Sequence, residues 1–344
     1  MTRLSTVQKH LIGVVIMLCF MAIVPAFITQ RYFLGEIIVF MIWASVAVQW
    51  NVLMGHAGVF SLGQMLIFAV GAYSSAMLMT YLDFSPWMAL PVSAVVAAVA
   101  ALMIGLACLR LGPAYVALLT FAISYMVYVL IITDTACYTT TAGGCQRFFG
   151  GTTGFSRLED LGFRKMLRGG WVVGNYFTVL GIFTISLIAS ILVIHGRLGL
   201  AFRALSDSPI YAAARGLNRT RSQLIAFVVT AFFTGLTGAV YAAHFRSVGP
   251  SLFDFSTLLF ILAMVIVGGL RSTWGPVFGA AMMMILVEFA KGMGDVRNTI
   301  IGMVLVLFVL FLPKGIAGLT SVLFGRFTTK TDRSNTQNHA SGKT

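Results

Sequence analysis

The chain has 344 residues, 59% of them hydrophobic and 10% charged, with a mean hydropathy of +0.94. A soluble domain carries about a quarter charged residues, so a water-soluble fold is excluded. The formal net charge is +13, but the basic residues sit in loops beside apolar runs, where membrane topology and anionic lipid headgroups account for them and nucleic acid is not a partner.

A helix needs about 20 mostly apolar residues to cross a hydrocarbon layer of ~30 Å. In chain order such runs fall at 11–29, 36–53, 62–80, 87–109, 114–132, 176–195, 223–243, 254–270, 276–290 and 298–312, the last two being the shortest. Apolar and polar residues do not alternate within them, which excludes a membrane β-barrel and leaves helices to satisfy the backbone in lipid. The fold class read from this pattern is an all-α polytopic membrane protein of about ten transmembrane helices. The opening MTRLSTVQKH has the basic start of a signal peptide. The apolar stretch from Leu11 to Ile28 is too long for one, however, and no small-x-small site closes it, so it reads as an uncleaved first helix.

Lys and Arg are retained on the cytoplasmic side of short loops. The larger share of the 23 Lys and Arg falls there when both termini are cytoplasmic, including Arg197, Arg203, Arg215, Arg219 and Arg221. A membrane domain then spans 1–320, with an outer loop at about 133–175 and a cytoplasmic loop at about 196–222. Residues 321–344 form a polar cytoplasmic tail expected to be disordered.

Three segments break the apolar pattern. The first is NVLMGHAGVFSLGQ at 51–64, with Asn51, Gly55, Gly58, Ser61, Gly63 and Gln64 between two apolar helices. Broken backbone at membrane depth survives only inside protein or facing a wet cavity, so these six residues are candidates for the lining of a solute path. They serve equally as small and hydrogen-bonding residues that let helices pack, and the two readings are compatible. A bulky residue at Gly58 is expected to crowd its neighbours. The second break is GGLRSTWGPVFG at 268–279, where Gly275 and Gly279 have the spacing of plain helix packing.

The third is the polar insertion at 196–222. Asp207 and Ser208 can cap a short helix with Pro209 at its first position, IYAAA presents small residues, and Gly216 can end it. Such a helix can dock on another protein or lie on the membrane surface. Glu36, His56, His244, Asp254 and Glu288 fall near span ends, and of these Glu288 is the carboxylate a gradient-driven transporter would use. No HExxH, GxSxG or CxxC motif occurs. The terminal Gly342-Lys343-Thr344 lacks the first glycine of a phosphate loop, Gln337 standing in its place. The reading is a transport protein and not an enzyme. Cys137 and Cys145 share the outer loop and are either a disulfide or two separate thiols, while Cys19 and Cys108 lie in apolar runs.

Four segments in order resemble the permease subunits of branched-chain amino-acid type ABC importers, the LivH/LivM family, and its LivM members in particular. They are NVLMGHAGVFSLGQMLIFAVGAY at 51–73, RLGPAYVALLTF at 110–121, the loop from Gly199 to Gln223, and MVIVGGLRSTWGPVFGA at 264–280. The second departs from the family pattern in having Phe121 for a leucine and one residue fewer after Arg110. In the third, Arg203, Asp207, Ala212, Ala213, Gly216 and Asn218 occupy the family's places, and the loop resembles the coupling helix that docks on an ATPase subunit.

The resemblance implies a LivHM-type permease bundle in a bacterial-type inner membrane. It implies partners: cytoplasmic ABC ATPase subunits that use ATP and Mg, a LivH-like permease or a second copy of this chain, an external solute-binding protein and membrane lipid. This chain would bind no cofactor itself. The solute would be a branched-chain amino acid or another small polar molecule such as urea or a short amide. In a departure from the family pattern the outer loop is longer and more basic, with Arg164, Lys165, Arg168, Gly169 and Gly170, and can contact an acidic surface of a binding protein.

Overall fold

The computed structural model describes residues 6–28, 30–109, 111–141, 144–166, 170–291 and 302–303. Apart from Gly302 and Met303, the run at 298–312 lies outside them, as do the tail at 321–344, Arg110, Arg168 and Gly169.

The other apolar runs each coincide with a helix. In chain order the described helices, of which α6, α8 and α9 match no apolar run, are α1 (Thr6–Phe27), α2 (Arg31–Asn51), α3 (Gln64–Tyr81), α4 (Pro86–Cys108), α5 (Pro113–Thr133), the four-residue α6 (Phe163–Met166), α7 (Trp171–His195), α8 (Arg197–Asp207), α9 (Pro209–Ala214), α10 (Arg219–Phe245), α11 (Phe255–Gly268) and α12 (Gly275–Ala290). Proline sits in the first turn of α4, α5, α9 and α12, where its missing N–H is no loss and its fixed φ suits a helix start.

Among the described residues six helices are long and apolar enough to cross a membrane, fewer than the expected ten: Val7–Phe27, Arg31–His56, Pro86–Cys108, Ala114–Thr133, Trp171–His195 and Arg219–Phe245. α3 has 18 residues and opens on Gln64. α11 and α12 have 14 and 16 residues, which at 1.5 Å per residue reach only about 21 and 24 Å. They form a hairpin packed so closely that a Cβ on Gly279 would strike the Met264 carbonyl.

α10 is the hub, packed on α3, α4, α2 and α7. Lipid gives apolar helices no hydrophobic reason to associate, so close backbone approach carries the packing. A Cβ on Gly71 of α3 would collide with the backbone of Gly235 of α10, and one on Gly238 with the Phe68 carbonyl. Trp43, Phe68 and Tyr241 fill the space where α2, α3 and α10 meet. α1 is peripheral, with Val15, Ile16, Phe20 and Phe27 exposed along it.

The outer loop departs from the all-α expectation. β1 (Cys137–Thr141) and β2 (Gly144–Arg147) form an antiparallel hairpin, and β3 (Phe155–Ser156) pairs with β4 (Ser247–Val248), which follows α10. The threonine run after Cys137 favours extended backbone, and a Cys137–Cys145 disulfide with Cα atoms 5.5 Å apart closes the hairpin. Of the two cysteine readings, the disulfide is the one formed. Tyr81 ties the hairpin to α3, its hydroxyl donating to the Arg147 carbonyl at 2.7 Å.

Candidate functional site

The two glycine-rich breaks, more than 200 positions apart in the chain, meet at one end of the bundle. α2 continues past Asn51 into a π-helical turn, Val52–His56, of the kind often found at functional sites. Asn51 is 2% exposed. Its Nδ2 donates to the Ser272 carbonyl at 2.8 Å, and its Oδ1 accepts from the Arg271 N–H at 3.2 Å. The Arg271 guanidinium then donates from Nε to the Gly55 carbonyl at 3.2 Å. Gly55 has to be glycine for this to close: a Cβ there would lie 2.6 Å from Asn51 Oδ1 and 2.8 Å from the Arg271 nitrogen.

Beyond the turn, the irregular stretch to α3 is also bonded to protein. Trp50 Nε1 donates to the Ser61 carbonyl at 3.0 Å, and Ser61 Oγ accepts from the Gly63 N–H at 3.2 Å. Gln64 Nε2 donates to Thr234 Oγ1 of α10 at 2.6 Å. Gln223 Nε2 donates to the Ala57 carbonyl at 3.1 Å, linking the break to the start of α10. Gly63 packs on Thr120, whose Cβ would lie 3.1 Å from an added Cβ. Gly58 differs: a Cβ there meets nothing within 4 Å, and its φ is +67°. The expected crowding at Gly58 is therefore not present within this chain, and what demands glycine there is the left-handed backbone.

The insertion at 196–222 lies at the same end. α8 and α9 are separated by Ser208, which takes the N-cap position of α9 with extended backbone but without a side-chain capping bond. α9 ends as expected at Gly216, with φ +85°. The Leu217 N–H donates to the Ala212 carbonyl at 3.1 Å and the Gly216 N–H to that of Ala213 at 2.9 Å, the Schellman pattern that satisfies the last carbonyls of a helix. Asn218 caps α10, its Oδ1 accepting from the Arg221 N–H at 3.1 Å. Ala212 is buried, while Ile210 and Tyr211 are 81% and 76% exposed.

A cavity of about 400 Å³ lies where the three segments converge, lined by Gly55 and His56 of the first break, Arg271 and Thr273 of the second, and the inner face of α8 with the end of α7. At the far end of the bundle Lys291 bridges Glu36 and Glu288, at 2.7 Å each, and donates to the Tyr32 hydroxyl. Burial works against the Lys291 ammonium, but hydrogen bonds to Glu288, Glu36 and Tyr32 prevail and hold its pKa above the usual lysine range.

Residues 32–312 match the family described as branched-chain amino acid transport system / permease component. The chain belongs to this permease family. Two relatives, from Salmonella typhimurium and Escherichia coli, are each a "high-affinity branched-chain amino acid transport system permease protein LivM"; each is 27% identical over 338 residues, covering 92% of this chain and 76% of the relative. No solved structure matches.

In this permease the six residues of the first break do not form one surface. Asn51, Ser61 and Gln64 are buried with their polar atoms bonded to protein, Gly55 and Gly63 are packed, and Gly58 is exposed. The residues of the insertion divide similarly. Arg203 and Asp207 line the cavity, Ala212 packs inward, Ala213 and Gly216 are exposed, and Asn218 is a cap. Two features escaped the sequence reading. Ile210 and Tyr211 are the exposed large apolar residues of α9, and their signal was the presence of two such residues inside a polar loop. The meeting of the two breaks had no local signal. In the outer segment Arg164 stacks on Trp171, 4.2 Å from the ring centre, and lies 3.9 Å from Asp160.

Proposed function

We propose that this chain is a membrane-spanning subunit of an ATP-driven importer for branched-chain amino acids, working with separate cytoplasmic ABC ATPase subunits. Family membership and the transport activity for which the two LivM relatives are named support the solute class. Urea and short amides are the other solutes to be tried.

The observation that carries the coupling role is the form of α9. It is a six-residue helix, fixed at its end by two backbone bonds, that turns Ile210 and Tyr211 outward from a charged loop. An exposed apolar pair on a rigid stub suits a groove on a partner protein. ATP and Mg act in that partner, and movement of α9 passes through α8 to the two breaks. A LivH-like permease or a second copy of the chain completes the membrane unit, and an external binding protein delivers the solute. Both termini are cytoplasmic in an inner membrane, and the membrane unit covers 1–320. The count of about ten spans takes α3, α11, α12 and the run at 298–312 together with the six long helices.

A gradient-driven secondary transporter is the other reading. It needs a carboxylate free to exchange protons, and Glu288 is instead held by Lys291 and by the Tyr32 hydroxyl at 2.8 Å, which favours the ATP-driven reading. The test is uptake of labelled leucine into vesicles holding the assembled transporter, with binding protein outside and ATP inside. Uptake that needs hydrolysable ATP supports the proposal. Uptake driven by an imposed proton gradient without ATP overturns it.

A further inference from the structure

We infer that the cavity between α8 and the two helix breaks is a binding site for a zwitterionic amino acid with an apolar side chain, through which imported solute restrains its own transporter. This inference rests on the import reading above and assigns a second site for the same class of solute, at the end of the bundle that carries α9.

The volume, about 400 Å³, falls within the range of small-molecule sites. Its lining is dipolar. Arg203 and Asp207 both line it, one helical turn apart on α8, where opposite charges four residues apart are neighbours and commonly pair. Here they do not pair. Among the described residues the Arg203 side chain bonds only through Nε, to the Gly199 carbonyl at 3.3 Å, and the Asp207 side chain has neither an ion pair nor a hydrogen bond; both residues are exposed, so a ligand reaches them from solvent. A guanidinium and a carboxylate on one wall, each lacking its counter-ion, match a ligand that carries both charges on adjacent atoms. Arg271 also lines the cavity, its Nε held to the Gly55 carbonyl.

A simple anion such as phosphate would be attracted by the arginines but would meet Asp207 as well. A simple cation would meet Arg203 as well as Asp207. The remaining lining includes His56 and His195 and, largely buried beneath them, Phe202 and Ile194, whose exposed edges are the apolar part of the wall. A ligand held this way ties α8 to both breaks, and so restrains the loop that carries α9. Rising internal solute would then slow import.

Two measurements test this. In the first, labelled leucine is bound to the assembled transporter in lipid nanodiscs without binding protein, against 4-methylpentanoate, which lacks the ammonium, leucinol, which lacks the carboxylate, and inorganic phosphate. Saturable leucine binding is expected, with both analogues at least about tenfold weaker because each leaves a charged group unmatched. Phosphate is expected not to compete. Arg203→Gln should weaken binding, and Thr273→Tyr, which fills the cavity from the second break, should abolish it. No binding, equal binding of 4-methylpentanoate, competition by phosphate, or binding unaltered in both variants overturns the site.

In the second measurement, leucine is trapped with ATP inside the vesicles of the uptake assay. Initial uptake should fall severalfold as internal leucine rises, and Thr273→Tyr should remove that dependence. If empty vesicles take up no amino acid, the import reading fails. If they take it up at a rate indifferent to internal leucine, the site fails and the import reading stands.

Discussion

Replacing Asn51 by alanine should unfasten the two helix breaks from one another. The side chain makes two bonds to the second break, donating to the Ser272 carbonyl and accepting from the Arg271 N–H, and it is 2% exposed. An unmade buried hydrogen bond costs about 1–3 kcal/mol, whereas interhelical bonds inside membranes average about 0.6 kcal/mol, because the unfolded state also finds partners. Two bonds between these bounds place Asn51→Ala at about 1–6 kcal/mol. Asn51→Asp keeps an acceptor for Arg271 but sets a buried carboxylate oxygen against the Ser272 carbonyl, so it should cost at least as much as alanine. The assay is unfolding in mixed micelles with increasing SDS, followed by ATP-dependent leucine uptake on the same preparations. Both variants within about 0.5 kcal/mol of wild type, the range of an ordinary surface change, would refute the clamp.

Four further outcomes follow from the same structure. Gly235→Leu should prevent folding, since an added Cβ already strikes Ala97 of α4, whereas Gly181→Leu should be tolerated because a Cβ there meets nothing within 4 Å; yield of monodisperse protein on a sizing column separates them. Gly216→Val places a β-branched residue at φ +85° and should cost about 1 kcal/mol or more, reducing the ATPase activity of the complex without reducing membrane insertion. Replacing both Cys137 and Cys145 by serine opens a hairpin with a sequence separation of 8, a loop worth about 2.5 kcal/mol by chain entropy. Protease should then cut near Thr141 faster, with the helices unaffected. Glu288→Gln should leave uptake intact, and abolished uptake at unchanged protein level would revive the gradient-driven reading.

The span-forming segments were legible because lipid imposes one requirement on the backbone, and runs such as 87–109 and 114–132 answer it with helices within a residue or so of their ends. The number of spans was not legible in the same way, because α11 and α12 are apolar enough but too short, a matter of where Gly269 to Trp274 interrupts them. The end of α9 could be read because Gly216 signals its own left-handed conformation. The bond from Asn51 to Ser272 could not, since nothing near either residue specifies a partner 221 positions away; only the packing of α2 against α11 and α12 brings them together. The outer hairpin had its signal in the threonine run beside Cys137, which the apolar pattern of the surrounding chain obscured.

If α9 is where this permease engages an ATPase, a charge at the exposed Tyr211 should separate the two proteins. The direct measurement is co-purification of a P-loop ATPase with the tagged chain in mild detergent, compared between wild type and Tyr211→Asp, with Ile225→Asn on exposed α10 surface as a control for inserting a polar residue elsewhere. The ATPase should accompany wild type and the control and be lost from Tyr211→Asp at equal permease recovery. Undiminished ATPase with Tyr211→Asp, or no ATPase with any of the three, would contradict that role of α9.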